Sequence, residues 1–103
     1  MTAYVLARVA LRDIDDPRDA TGPLAEYFAN APRNVAAHGG EFVIRGGKSQ
    51  ILEGSDPFSR LIVVRFPDYD TALNWYNSPE YGQLRTLRAE GAVMDILLID
   101  GAA

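Results

Sequence analysis

Hydrophobic and polar positions change period within one stretch, Leu61 to Leu87, reading LIVVRFPDYDTALNWYNSPEYGQLRTL. Leu61 to Val64 is a continuous apolar run, mostly β-branched, closed by Arg65-Phe66-Pro67. A run that short, stopped by proline, predicts a buried strand. Helical spacing follows at once. Asp68 is a suitable N-cap for a helix through Asn77, because its carboxylate accepts from first-turn N–H groups that lack a partner. Tyr69, Ala72, Leu73 and Tyr76 form the apolar stripe, and Trp75 falls about 100° round from Tyr76, on its flank. Ser78-Pro79-Glu80 restarts a helix, with serine as cap, proline in the first turn and glutamate at the positive end. Tyr81, Leu84 and Leu87 then face inward, Arg85 and Arg88 face water, and Gly91 ends the element.

The same reading extends to the rest of the chain. Tyr4 to Leu11 alternates as a strand, with Tyr4, Leu6, Arg8 and Ala10 on one face and Val5, Ala7, Val9 and Leu11 on the other. Arg12 to Asp19 is a polar loop. Its carboxylates lack the central glycine and distal glutamate of a calcium loop, so the solvated-loop reading is preferred. Leu24, Tyr27, Phe28, Ala31 and Val35 recur at helical spacing after Pro23. Pro32 removes the bond to the Phe28 carbonyl, a loss of about 3 kcal/mol in a regular helix, so a kink or short break is expected near Ala29 to Ala31. His38-Gly39-Gly40 ends this helix, with one glycine in the left-handed cap. Glu41 to Arg45 is a second strand. Gly46-Gly47 interrupts it and Ser49 to Glu53 resumes an extended pattern, which predicts a bent or bulged strand. Gly54-Ser55-Asp56-Pro57 reads as a turn, and Val93 to Asp100 as the last strand.

Strand, helix, strand, strand, helix, strand is the ferredoxin-like β-α-β-β-α-β order, an α+β fold with a four-stranded antiparallel sheet. Strands one and three are the most continuously apolar, which places them centrally in the order 4-1-3-2. Two helices cover one sheet face, yet strands one, three and four are apolar on both. The bare face needs a partner, and a second copy of the chain is the simplest, so a homodimer is expected.

Composition narrows the function. The 103 residues make one domain, 1–103, with 48% hydrophobic residues and no run long enough to span a bilayer. No signal peptide is read at the N-terminus, and there is no cysteine, which fits a reducing compartment and leads us to expect a cytoplasmic protein without thiol chemistry. A net charge of −4 with ten scattered basic residues argues against nucleic acid as a partner.

Several segments also carry a family resemblance. Ala3-Tyr4-Val5, Ala36 to Gly47 (AAHGGEFVIRGG), Leu52-Glu53-Gly54, Phe66-Pro67 and Trp75 to Tyr81 (WYNSPEY) resemble the domain of unknown function numbered 1330. The resemblance covers nearly the whole chain and implies a dimeric α/β-barrel, in which two ferredoxin-like sheets close face to face. It also implies kinship with cofactor-free monooxygenases, haem-processing enzymes, isomerases and ligand-sensing domains. The family has no settled activity, and a fold so widely reused does not supply one. The acidic loop from Asp13 to Thr21 is longer here.

Each candidate residue has two readings. His38, the single histidine, is either a general base or haem ligand, or a helix-end residue whose ring donates to terminal carbonyls. Arg45 either clamps a carboxylate or pairs with Glu41, Glu53 or Asp95. Arg8 and Arg65 lie in apolar strands and call for carboxylate partners, with Asp95 and Glu53 at hand. Trp75, Tyr76 and Tyr81 build core or line a cleft, with Trp75 the best cleft candidate. No metal cluster, cofactor motif or nucleophile–base pair stands out. The expected site is a cleft between sheet and helices, with Tyr27, Arg45, Trp75, Tyr76 and Tyr81 as ligand-binding residues and His38 and Arg45 as catalytic candidates. The expected function is binding of a small, partly apolar or anionic molecule, and the alternative is a cofactor-free oxygenase- or isomerase-like enzyme.

Overall fold

Apolar alternation in the first segment produces β1, Ala3–Leu11, which pairs antiparallel on both sides. The computed structural model describes residues 1–55, 58 and 60–102. After β1 come α1 (Gly22–Ala37), β2 (Glu41–Arg45), β3 (Arg60–Phe66), α2 (Tyr69–Asn77), α3 (Pro79–Arg88) and β4 (Ala92–Asp100). The sheet order is β2-β3-β1-β4, so β1 and β3 are the central strands, as their composition requires. Val5 lies opposite Val64, and Leu6 opposite Val63. The former pair faces the helices and the latter the bare side. The sheet is antiparallel and open, covered on one face by three helices. Among the described residues, no helix is long and apolar enough to cross a membrane.

Local chemistry sets the element ends. Gly39 takes φ +86 after α1. The Gly40 N–H donates to the Val35 carbonyl at 2.9 Å and the Gly39 N–H to Ala36 at 3.1 Å, the double bond that closes a helix with a left-handed residue. A Cβ on Gly40 would lie 2.6 Å from Val35 Cγ1 and 2.9 Å from the Phe66 ring, so the chain passes there only as glycine. Asp68 caps α2 by accepting from the Thr71 N–H at 2.7 Å, which holds its carboxyl below the usual range. Ser78 both ends α2 and starts α3. Its Oγ donates to the Trp75 carbonyl at 2.7 Å and accepts from the Tyr81 N–H at 3.2 Å.

Three expectations are corrected. Helix α1 runs through Pro32 as one element of 16 residues, so of the kink or short break expected near Ala29 to Ala31 the break does not occur. Burial of Leu24, Tyr27, Ala31 and Val35 on one stripe holds it together, so tertiary packing overrides the local cost of proline. Ser49 to Glu53 does not resume a strand. An extended pattern specifies a conformation and not a partner, and both edges of β3 are already taken by β1 and β2. The irregularity lies earlier, between Phe42 and Ile44, where the register with β3 shifts. In α2 the buried residues are Ala72 and Trp75, while Tyr69 and Leu73 are exposed. The helix is rotated to bring the largest aromatic into the core, where it gains most from leaving water. Asp56 and Pro57 of the expected turn lie outside the described residues.

Ion pairs on the bare face answer the two strand arginines. Arg8 meets Asp95 at 3.4 Å across β1 and β4, and Arg65 meets Glu41 at 2.9 Å across β3 and β2. Around them Ile44, Leu61, Val93, Leu97 and Ile99 are exposed.

Candidate functional site

Alternation on the sheet and helical spacing on α1 bring two apolar surfaces together. Val5, Ala7, Ile62, Val64 and Ile96 rise from the sheet, and Tyr27, Ala31 and Val35 descend from α1. They do not close completely, and a cavity of about 90 Å³ remains between them. Trp75 and Tyr81 form one wall, and Phe42 and Arg45 contribute from the edge strand. The Arg45 guanidinium stacks over the Phe42 ring at 4.5 Å. Among the described residues no carboxylate lies within ion-pair distance of Arg45, so the pairings with Glu41, Glu53 and Asp95 are not formed.

The aromatic wall follows from the Ser78 junction. Stopping one helix and starting another there places Trp75 and Tyr81 with ring centroids 4.3 Å apart. Tyr76 contacts both, at 6.1 Å and 5.7 Å. Trp75 is buried and its indole N–H donates to Asn34 Oδ1 at 2.9 Å, which fixes the ring against α1. The hydroxyls of Tyr27 and Tyr81 lie 2.9 Å apart. Burial pushes the Tyr27 phenol well above its ordinary pKa, the adjacent Tyr81 adds to the shift, and the Arg88 guanidinium opposes it. Tyr27 therefore remains a neutral hydroxyl through the physiological range.

The structure brings Tyr27, Arg45, Trp75 and Tyr81 to one cavity. Tyr76 instead lines a neighbouring space with Val5, Leu73 and Ile96, and Trp75 is shared by both. His38 stands apart at the end of α1. Its Nδ1 lies 2.9 Å from the Asn34 carbonyl and its Nε2 3.6 Å from Glu80. A carbonyl only accepts, so Nδ1 carries a proton. This is the helix-end arrangement among its two readings. A wider, open hollow of about 520 Å³ lies near it, between α1 and α3, lined by Glu26, Arg33 and Glu80. Among the described residues, no group of acidic or imidazole side chains is placed to hold a metal ion.

Pro32, where a gap beside α1 was expected, lines the cavity. Three further contributors were not read from periodicity: Phe42 lines the cavity, Asn34 holds the indole, and Arg88 packs over Tyr27 with its Cζ 5.8 Å from the ring centroid. Arg88 was expected to face water, but its Nε is buried, with no hydrogen-bond partner among the described residues. Its position seven residues after Tyr81, on the same helical face, was the available signal.

A family model described as a domain of unknown function (DUF1330) matches residues 2–102. The chain belongs to this family. No functionally curated protein matches the DUF1330 chain. Among solved structures it is similar to the RPA0582 protein of unknown function from Rhodopseudomonas palustris, at 20% identity and TM-score 0.68, covering 99% of this chain and 83% of that one. It is also similar to a dimeric protein of unknown function and ferredoxin-like fold from Bacteroides fragilis, at 13% identity and TM-score 0.59, covering 97% and 96%. SnoaB, a cofactor-independent oxygenase from Streptomyces nogalater, aligns at 13% identity and TM-score 0.53, covering 99% and 94%. At these identities the likeness establishes the ferredoxin-like fold of the DUF1330 chain and nothing of its chemistry.

Proposed function

We propose that the protein binds a small, partly apolar molecule with an anionic or phenolic group in the cavity between helices and sheet, and that it does so as a homodimer. The observation that carries this reading is the convergence of Tyr27, Trp75, Tyr81 and Arg45 on one largely apolar cavity. Apolar walls with a few convergent polar groups are the usual make-up of a ligand site. The cavity, about 90 Å³, is smaller than the ~150 Å³ that accepts benzene, so a ring-sized ligand enters by outward rotation of Phe42 and Arg45. Arg45 is exposed and, among the described residues, pairs with no carboxylate, which leaves its planar fork for a ligand carboxylate or phenolate.

The oxygenase reading draws support from the fold shared with SnoaB. It needs a base near the substrate. None of the described lining residues is a carboxylate or imidazole, and the Tyr27 phenol is held protonated. Binding is therefore the better supported function.

Native mass spectrometry of the purified protein identifies a retained ligand, and calorimetry measures its affinity. Arg45→Met is expected to weaken an anionic ligand by about tenfold, the usual worth of a hydrogen bond to a charged group. A folded Arg45→Met protein with undiminished affinity would put the ligand somewhere else.

A further inference from the structure

We infer that Trp75 is a fixed partition that sets the length of ligand the protein accepts, so that the cavity takes a one-ring aromatic carboxylate and excludes a fused two-ring one. The inference rests on the proposed binding function and names the class of ligand for that site. Two spaces follow one another along the helix-covered face of the sheet. On β4, Met94 lines the first, Leu98 the second and Ile96 both. These alternate residues share one face and span roughly 13 Å of strand, so the floor is continuous from one space to the other. The register sets Arg45, Ile62, Ala7 and Ile96 in one row across the sheet, from β2 to β4. A carboxylate held by Arg45 at one end of that row directs its ring towards Ile96, where the second space begins.

Trp75 stands between the two spaces. Among the described residues it shares both with Val5 and Ile96, which belong to the floor, and it alone comes from a helix. Its ring is buried and held from several sides. The indole N–H donates to Asn34 Oδ1 on α1 at 2.9 Å, and the rings of Tyr81 and Phe66 lie 4.3 Å and 5.4 Å away between centroids. Swinging it aside would leave the N–H unmet and open a void in a close-packed layer. The first space measures about 90 Å³ and the second about 100 Å³. Neither reaches the ~150 Å³ that admits benzene, and the two joined exceed it. With the partition in place, a second fused ring meets the indole. Without it, that ring enters the space lined by Leu73, Tyr76 and Leu98.

Calorimetric titration of the full chain with benzoate and with 2-naphthoate tests this. Both probes carry the same carboxylate, so the contribution of Arg45 cancels in the ratio of their affinities. The wild type is expected to favour benzoate by about tenfold, the discrimination a pocket wall gives against added apolar bulk. Trp75→Leu should raise 2-naphthoate affinity by about tenfold and leave benzoate little changed. Trp75→Phe, which keeps an aromatic ring in the core, should shift the ratio the same way by less. Adding Leu98→Phe to Trp75→Leu refills the second space and should restore the wild-type preference. A purely structural Trp75 would weaken both probes alike. That unchanged ratio in both Trp75 variants overturns the inference and leaves the cavity reading standing, as do equal affinities in the wild type. Binding of neither probe, to the wild type or to the variants, removes the cavity reading and the inference together.

Discussion

Tyr27 carries the clearest chemical signature of any single residue. Its hydroxyl is buried against Tyr81, and its pKa is raised chiefly by that burial. A raised phenol pKa means that the folded state holds the proton more tightly than the unfolded chain. The associated stability is fully present below the ordinary phenol value of 10.0 and is lost as pH rises past it. We expect unfolding free energy to fall by about 1.4 kcal/mol per pH unit there from this group alone. Denaturant titrations at alkaline pH should show a shallower fall in Tyr27→Phe than in the wild type. Equal slopes would mean that Tyr27 ionises normally. The pairing itself was not legible in the chain, because Tyr27 and Tyr81 are 54 positions apart and nothing local announces their meeting. Arg8 shows the opposite case. A charge inside an apolar strand demanded a carboxylate, and Arg8 meets Asp95 across the sheet.

Among the elements, the Ser78 junction does most to shape the cavity wall. Serine followed by proline stops α2 and starts α3 within one residue, and this sets Trp75 beside Tyr81. Ser78→Ala removes the acceptor for the Tyr81 N–H and the donor to the Trp75 carbonyl. A loss of about 1 kcal/mol is expected in chemical denaturation, with the slope unchanged. A neutral substitution would show that packing alone holds the junction. Caps of this kind are readable in sequence because they depend on neighbours a few residues away. The rotation of α2 is not. Tyr69, Leu73 and Tyr76 are as apolar in pattern as Ala72 and Trp75, and only the surface that the helix meets selects between them.

At the scale of the whole molecule, surface area supports the dimer. A monomer of 11.3 kDa is expected to expose about 5,700 Å², whereas this chain exposes 6748 Å². The difference is on the order of 1,000 Å², near the share one partner contributes to a standard interface. The Cα extents of 38 × 36 × 16 Å describe a slab, one layer of helices on a sheet with its other face bare. Face-to-face packing would cover Leu61, Leu97 and Ile99. We expect sedimentation to give a dimer at micromolar concentration and Leu97→Asp to give a folded monomer. A wild-type monomer at that concentration would refute the arrangement.

Period, caps and strand composition were sufficient for the order of elements, the central position of β1 and β3, and the ferredoxin-like topology. These features depend on local spacing and on which strands must be buried twice. Tertiary structure decided the rest. It kept α1 continuous through Pro32, left Ser49 to Glu53 without a strand partner, and turned Trp75 into the core. It also gathered Tyr27, Tyr81 and Arg88 into one cluster. The physical reason is that burial and hydrogen bonding between distant segments outweigh local propensity, and the partners in those contacts exist only once the chain has folded.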